Sequence, residues 1–345
     1  MPQNKQYKFY FLLIGLIIAT TAAIILSAGM GYMNISVKNI LQVLWAEITG
    51  NELLLAGMDQ AVSFVILDVR LPRILTAVLV GGGLAMSGVV YQGILLNPLA
   101  DPYTLGVSSG AAFGASLALL ANLSLAGQFS VPVFAFVGAV ATLFIVLSLS
   151  TFNGRMSANT LILSGVIVGA ILAAGISFIK YLADEQVAVI IFWLMGSFAS
   201  RTWHDVLLMA VAVGAGFAVS FFYGRDLNIM SLGGRSADTL GVESRSTRKI
   251  LLITASLVTA VCVAVSGIIG FVGLIIPHLM RFIVGPDNRR LLPVSILAGA
   301  VLLLMADTIT RAVLPVEVPI GVLTALIGGP FFCLIFRKRQ KGFQL

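Results

Sequence analysis

Charge is scarce in this sequence. Of its 345 residues, 59% are hydrophobic and only 10% are Asp, Glu, Lys or Arg. Soluble domains carry about 25% charged residues, so this composition cannot cover a globule with a water-compatible surface. A soluble enzyme is therefore excluded, and an integral membrane protein is indicated. The 35 glycines agree with this class, because small residues let membrane helices approach closely.

Metal ligands and catalytic motifs are also lacking. The chain has two cysteines and two histidines, and Cys262 and Cys333 lie within apolar runs, where we expect them to pack as small hydrophobes. Neither a G-x-x-x-x-G-K-[ST] phosphate loop nor an H-E-x-x-H zinc motif occurs. We therefore expect no catalytic residues, no metal site and no cofactor in this chain, and we disfavour a membrane-embedded enzyme.

Long apolar runs dominate instead. A membrane-crossing helix needs about 20 apolar residues. We predict spans at about 9–33, 74–96, 105–126, 129–150, 159–182, 203–223, 248–270, 271–285, 291–313 and 318–336. The run at 271–285 is short, so we expect a bent or partial span there. The predicted fold class is an all-α polytopic membrane protein with ten transmembrane helices in a single transmembrane domain, 1–345.

Positive charge sets the expected orientation. With the N-terminus inside, only six of the 21 Lys and Arg residues fall outside, namely Lys38, Arg70, Arg73, Lys180, Arg201 and Arg311. Cytoplasmic loops of membrane proteins carry an excess of Lys and Arg, so both termini are predicted to be cytoplasmic. The net charge of +7 follows from this topology and implies no nucleic-acid partner.

Three further segments do not span. Residues 37–45 are amphipathic and are expected to lie along the outer membrane surface. Residues 187–198 are apolar but short, which predicts a re-entrant or outer-surface helix. Residues 225–247 form the longest inner loop, rich in Arg, Ser and Gly.

A short motif occurs twice. Residues 85–88 read Ala-Met-Ser-Gly and residues 264–267 read Ala-Val-Ser-Gly, and a proline follows ten residues later in each case. The copies lie in the second and seventh spans, which cross in opposite directions. Inverted repeats of this kind are typical of transporters. The fifth span carries a stripe of small residues, Gly165, Gly169, Ala173 and Ser177. Such a stripe either lets another helix pack closely or borders a transport pathway.

Ionisable residues are rare within the spans. Asp307 comes closest, and it lies four residues from Arg311, so an ion pair on one helix face is expected. A role in ion coupling is the alternative for Asp307. Because no chain of ionisable residues runs through consecutive spans, a proton- or sodium-driven carrier is disfavoured. The energy is expected to come from a partner.

An ordered set of motifs resembles a known family. The segments are Arg70–Arg73, Ser87–Gly88, Asn97–Pro102, Leu105–Ala111, Ser266–His278, Ala306–Asp307 before Arg311, and Pro319–Thr324 with Gly328. Over about residues 65–336 they resemble the FecCD-like permeases of type II ABC importers for iron-siderophores, haem and cobalamin. The resemblance implies a homodimeric permease that lies in the inner membrane, where it contacts membrane lipid. It also implies two cytoplasmic ATPases that hold ATP and Mg²⁺, and a substrate-binding protein on the outer face.

The resemblance further implies roles for individual residues. The loop 225–247 resembles the family's ATPase-coupling element of two short helices; its residues are Asn228, Met230, Leu232, Gly233, Ala237, Leu240, Gly241 and Val242. Exposed Met and Leu side chains suit a partner groove, and packing on the protein's own helix ends is the alternative. Arg70, Arg73 and Arg311 resemble arginines that dock the binding protein. The alternatives are that they extend to the membrane surface as snorkelling anchors, or that they form local salt bridges, such as Arg70 with Asp68.

Pathway and gate residues are expected in two places. The candidates are Asn97, Pro98, Asn159, Thr160, Ser164, Gly165, Gly169 and Ser177. Pro98 ends the second span and Asn97 can cap the next turn, so residues 97–110 are either structural or part of an inner gate. His278 is expected to be a buried histidine rather than a metal ligand.

Two functions remain open. The first is the permease of an ABC importer for a metal chelate, with an iron-siderophore as first candidate and cobalamin, haem or molybdate as alternatives. The second is an ion-coupled secondary transporter.

Overall fold

Helices make up nearly all of the structure, a computed structural model that describes residues 3–31, 33, 35–51, 55, 58–122, 129–152, 155–312 and 317–342. They are α1 (Gln3–Gly29), α2 (Val37–Thr49), α3 (Gln60–Phe64), α4 (Leu71–Leu95), α5 (Val107–Leu120), α6 (Ser130–Ser150), α7 (Ala158–Leu182), α8 (Val187–Leu194), α9 (Trp203–Phe222), α10 (Gly224–Met230), α11 (Gly234–Thr239), α12 (Ser244–Ser266), α13 (Val272–Val284), α14 (Asn288–Ala312) and α15 (Ile320–Gly342). A short antiparallel hairpin, β1 (Thr151–Phe152) and β2 (Arg155–Met156), joins α6 to α7. The all-α fold class is confirmed.

Ten helices in the described part of the chain correspond to the ten predicted spans. Seven are long and apolar enough to cross a membrane: α1, the unit containing α3 and α4, α6, α7, α9, α12 and α14. Shorter apolar helices are α5, α13 and residues Ile320–Cys333 of α15. With 13 residues, α13 is a partial span, as the sequence predicts. Residues 32, 123–126 and 313 of the predicted spans lie outside the described residues.

The second span begins earlier than predicted. A π-helix, Val65–Arg70, joins α3 to α4, so one continuous rod runs from Gln60 to Leu95. Pro72 lies in the first turn of α4, where a missing amide is tolerated. Its neighbour Leu71 donates its amide back to the carbonyl of Ile66, which the wider π turn allows. The sequence places the boundary at residue 74 because arginines and a proline precede it.

The buried helix α4 forms the centre of the bundle, against α9, α12, α13 and α14. Its closest crossings occur at glycines. A Cβ on Gly81 would lie 2.3 Å from the carbonyl oxygen of Gly299, and one on Gly88 would lie 1.8 Å from that of Gly273. These distances are too short for any side chain, so backbone packs directly on backbone, as in other membrane bundles.

Different helices lie at the two ends of the bundle. We call one end of the bundle the inner end; it carries α10, α11 and the starts of α1, α12 and α14. The start of α1 meets α14 there, since the Arg290 guanidinium lies 5.7 Å from the centre of the Phe9 ring. The outer end carries the end of α1, the starts of α4 and α15, and the end of α14. The helix α2 lies beside the outer end of α1; it is amphipathic, as predicted, and buries Ile40 and Val43 on one face.

The two copies of the repeated motif run in opposite directions. Helices α4 and α12 are antiparallel: the Ser87 hydroxyl donates to the carbonyl of Ala255 at 3.1 Å, and Gly83 lies beside Cys262. The copies differ locally, because α4 continues through its motif, whereas Gly267, with φ +71°, ends α12.

Two of the short helices begin inside the bundle. Irregular segments precede them, residues 96–106 before α5 and 267–271 before α13. Tyr103 joins these segments, because its hydroxyl donates to the carbonyl of Ile269 at 2.5 Å and accepts the amide of the same residue at 3.2 Å. Irregular backbone inside a membrane protein needs such partners.

Candidate coupling and docking sites

At the inner end, α10 and α11 form a compact element with a small core of its own. Met230, Ala237 and Val242 pack together and are buried. Leu232 and Leu240, which follow the two helices, are 66% and 60% exposed. The expectation that Met230 faces a partner is wrong, because its side chain fills the element's own core. The two leucines provide the exposed apolar surface, and apolar residues grouped in a polar loop are typical of a contact site.

Glycine shapes the turns of this element. Gly233 precedes α11 with φ +101°, and Gly241 follows it with φ +84°. Side chains rarely adopt these backbone angles. Both glycines are among the predicted coupling residues, and the structure gives them a role in the backbone path.

Polar side chains attach the element to the bundle on two sides. Asn228 of α10 donates to Asp287 at 2.7 Å and accepts the amide of Asn288, the first residue of α14, at 2.8 Å. Asp238 of α11 accepts the amide of Ser244, the first residue of α12, at 3.1 Å. Hydrogen bonds from the hydroxyl and amide of Ser244 hold the pKa of Asp238 below its ordinary value, so this carboxylate is ionised at neutral pH. These hydrogen bonds attach the element to the starts of α12 and α14.

At the outer end, two of the three predicted docking arginines cap α1. Arg70 donates to the carbonyl of Ala28 at 2.5 Å, and Arg311 donates to the carbonyls of Met30, at 2.7 Å, and Ser27. The last carbonyls of a helix lack partners within it, and cations are favoured there. Only 6% of Arg70 and 9% of the Arg311 side chain are exposed. The expectation that these two arginines present charge at the rim is therefore wrong.

Gly31 lies between these two guanidinium groups. A Cβ at this position would lie 3.1 Å from Nη1 of Arg311 and 3.1 Å from Nη2 of Arg70, and the residue has φ +148°. Both the space and the backbone angle therefore call for glycine. Arg70 binds backbone carbonyls here instead of Asp68, the partner considered from the sequence.

Arg73, the third of these arginines, is held by two carboxylates. Its Nε lies 3.1 Å from Oδ2 of Asp307, and its Nη2 lies 2.8 Å from Oδ1 of Asp307 and 2.5 Å from Oε1 of Glu317. Nε of Arg311 lies 3.6 Å from Asp307, which confirms the ion pair expected from their spacing. A pocket of about 270 Å³ opens beside Arg73, Asp307 and Glu317, between the turn after α8 and the start of α15.

The gate candidates Asn97 and Pro98 form the turn after α4. The helix ends at Leu95, and Leu96 has a positive φ of 51°. The Asn97 side-chain oxygen then accepts the amide of Leu99 at 2.9 Å, so the predicted cap is confirmed. A gate function for this turn stays a prediction.

The pathway candidates on α7 differ in their burial. Ser164 and Gly165 are buried, and a Cβ on Gly165 would lie 2.3 Å from the carbonyl of Thr104. This part of the small-residue stripe therefore makes helix contact, and the expectation that Ser164 and Gly165 border a pathway is wrong within this chain. The other candidates are partly or fully exposed; they are Asn159, Thr160, Gly169 and Ser177.

The histidine and the two cysteines that we expected to be buried are buried, with the exception of one cysteine. His278 and Cys262 are buried, as predicted. Cys333 is exposed on the surface of the bundle, so its assignment to the core is wrong. Among the residues that the structure describes, no three His, Cys, Asp or Glu side chains form a group that could hold a metal ion.

Three contact residues were not found from the sequence: Tyr103, Asp287 and Glu317. Tyr103 and Glu317 bind partners 166 and 244 residues away. Their only sequence signal is position, since Tyr103 lies within the motif block 97–110 and Glu317 lies next to the block that begins at Pro319.

Residues 16–338 match the FecCD transport family. The chain is 40% identical over 333 residues to the molybdate import system permease protein MolB of Haemophilus influenzae, with 96% of each chain covered. It is 38% identical over 337 residues to the hemin transport system permease protein HmuU of Yersinia pestis, again with 96% of each covered. It is also 44% identical over 284 residues to the cobalamin import system permease protein BtuC of Halobacterium salinarum, covering 82% of this chain and 76% of the relative.

A solved structure agrees with these sequence matches. It is assigned to a metal-chelate type ABC transporter in an inward-facing conformation. The two chains share 37% identity and a TM-score of 0.81, over 94% of this chain and 98% of the other.

A bundle of ten apolar helices, with an element of two short helices at one end, is the architecture of a multi-pass membrane protein. The chain belongs to the FecCD transport family, in which it is an ABC importer permease.

Proposed function

We propose that this chain is the permease of an ATP-driven importer of the inner membrane, in which two copies enclose the pathway. The inner end and both termini face the cytoplasm, where two ATPase subunits dock and hold ATP and Mg²⁺. The outer end receives cargo from a soluble binding protein. ATP-driven movement of the ATPases shifts the permease between outward and inward states through differential contacts at the inner end.

The element formed by α10 and α11 carries this proposal. Its two exposed leucines, Leu232 and Leu240, give an ATPase an apolar surface, and its core keeps that surface rigid. Asn228 and Asp238 transmit the resulting displacement to α14 and α12.

A second copy is supported by α7. Its polar candidates Asn159, Thr160 and Ser177 are exposed in the single chain. A second protomer that faced this side of α7 would enclose these side chains in a pathway between the two copies.

The proposed cargo is a metal chelate, with an iron-siderophore as first candidate. Cobalamin, haem and molybdate are the alternatives, and the relatives named for hemin, cobalamin and molybdate support this breadth. Because these cargoes differ widely in size and chemistry, we place selectivity in the binding protein.

Reconstitution tests the function. The permease, its ATPases and the binding protein are placed in liposomes, and uptake of an iron-siderophore, hemin, cobalamin or molybdate is measured. We expect uptake that requires ATP and the binding protein, is blocked by vanadate and is indifferent to ionophores. Uptake that follows a proton or sodium gradient and resists vanadate would establish the secondary carrier instead.

Substitution of the leucines tests the coupling surface. We expect L232E and L240E to leave the permease folded but to abolish co-purification of the ATPases, because a buried unpaired carboxylate is costly in an apolar contact. L41E, on the exposed side of α2 at the outer end, is the matched control. Retained ATPase binding in L232E/L240E would contradict the assigned surface.

A further inference from the structure

Only some of the hydrogen-bond donors of the Arg73 guanidinium have partners in the fold. One edge, Nε with Nη2, holds Asp307. On the other edge Nη2 donates to Glu317, while Nη1 has no hydrogen-bond partner among the described residues. Carboxylates bind guanidinium groups best through two parallel bonds along one edge. Glu317 therefore occupies half of an edge that could take a whole carboxylate.

The two carboxylates on Arg73 differ in how firmly they are held. Asp307 is 1% exposed, and a buried charge that loses its partner is strongly destabilising. Glu317 is 48% exposed, so water can replace its bond at little cost. An incoming carboxylate would therefore displace Glu317 and leave Asp307 in place. The pocket of about 270 Å³ beside both residues gives such a side chain room to approach.

Glu317 restrains the chain just before α15. The first amide of that helix, from Ile320, donates to the carbonyl of Gly196 at 3.2 Å. The next residue of that turn, Ser197, donates its amide to the carbonyl of Ser266 at 2.8 Å, at the end of α12. Backbone hydrogen bonds thus connect the segment held by Glu317 to the turn after α8 and to the end of α12.

We propose that the Arg73–Glu317 pair is an exchangeable latch, which an acidic side chain of the docking protein opens by taking the free edge of Arg73. The latch rests on the proposed function, since it needs an outer partner. The exchange replaces one ion pair by another, so docking itself frees Glu317. The released segment 317–319 then no longer ties the start of α15 to α4 and α14.

Binding measurements test the latch. The probe is the soluble binding protein of the same importer, titrated onto the purified permease–ATPase complex. E317Q removes the internal competitor and keeps the side-chain shape, so the affinity should rise about two- to fivefold, the range for one exposed ion pair. The matched control is E185Q, which removes an exposed outer-end charge without an ion pair to Arg73 and should leave the affinity unchanged.

A labelling experiment reports the latch directly. V318C is introduced together with C333S, because Cys333 is exposed whereas Cys262 is buried. The binding protein should accelerate thiol labelling of V318C, and E317Q should give the fast rate without it.

The latch is overturned if E317Q leaves the affinity unchanged or lowers it, if E185Q raises it equally, or if docking does not change the labelling rate. These results would leave the proposed function intact. Absence of any binding protein affinity in the unmodified complex would instead overturn the proposed function, and the latch with it.

Discussion

The hydroxyl of Tyr103 is bonded to both backbone groups of Ile269, donating to the carbonyl at 2.5 Å and accepting from the amide at 3.2 Å. One side chain thereby supplies hydrogen-bond partners for the backbone amide and carbonyl of a residue that lies outside any helix. It also joins the segments that precede α5 and α13, two short helices from different halves of the chain.

Removal of this hydroxyl should destabilise the bundle. Y103F leaves a buried amide and carbonyl without a partner, which costs about 1–3 kcal/mol. Thermal unfolding of the purified protein in detergent should show a lower midpoint. Y181F, at a tyrosine that is 81% exposed, serves as control and should unfold as the unmodified protein does. Equal midpoints for the two variants would show that the Tyr103 bridge is dispensable.

The cap on α1 should depend on Gly31. G31A places a methyl group 3.1 Å from both guanidinium groups at a backbone angle that favours glycine, so Arg70 and Arg311 must shift from the α1 carbonyls. We expect a lower unfolding midpoint. G214A, within α9 and with nothing inside 4 Å of the added methyl, should be neutral or stabilising by up to about 1 kcal/mol. The assignment fails if G31A behaves as G214A does.

The pair of Arg73 and Asp307 should behave as a unit in stability measurements. R73Q leaves buried Asp307 with only the 3.6 Å contact to Arg311, and D307N leaves Arg73 with only the exposed Glu317, so each should cost up to about 3–5 kcal/mol. The double variant removes both charges and should cost less than the sum of the two. E317Q breaks only the exposed bond, worth about 1 kcal/mol or less. Additive losses for R73Q and D307N would argue against a direct pair.

Charge reversal at Arg73 is therefore a poor test of docking. R73E would place a carboxylate beside buried Asp307 and disturb the fold as well as the surface. Loss of transport in R73E would not separate the two effects, which is why the latch is tested at Glu317.

The attachment of α10 to α14 should be needed for coupling. N228A removes three hydrogen bonds to Asp287 and Asn288, each worth about 1 kcal/mol net. We expect the ATPases to remain bound while the binding protein no longer stimulates ATP hydrolysis. S231A is the control, because the Ser231 hydroxyl bonds only to a carbonyl of the same helix turn. Normal stimulation of ATP hydrolysis in N228A would show that the ATPases are coupled to the helix bundle through contacts other than those of Asn228.

Local sequence patterns predicted the helices well. The length of each apolar run, the short run at 271–285 and the polar loop at 225–247 all have their counterparts in the structure. The start of the second span was placed too late, since a π turn accommodates Pro72. Roles of single side chains were harder to predict. Met230 looked like a contact residue, yet it is buried by Ala237 and Val242 after the chain reverses.

The sequence by itself determined the class of protein, the number of crossings and the positions where charge is out of place. These properties follow from transfer of apolar runs out of water and need no tertiary contact. Only the tertiary structure decided what the misplaced charges do. Arg70 and Arg311 cap α1, whereas Arg73 is shared between Asp307 and Glu317. The reason is distance along the chain: these partners lie up to 284 residues apart, and only the packing of α1, α4 and α14 brings them within hydrogen-bond range.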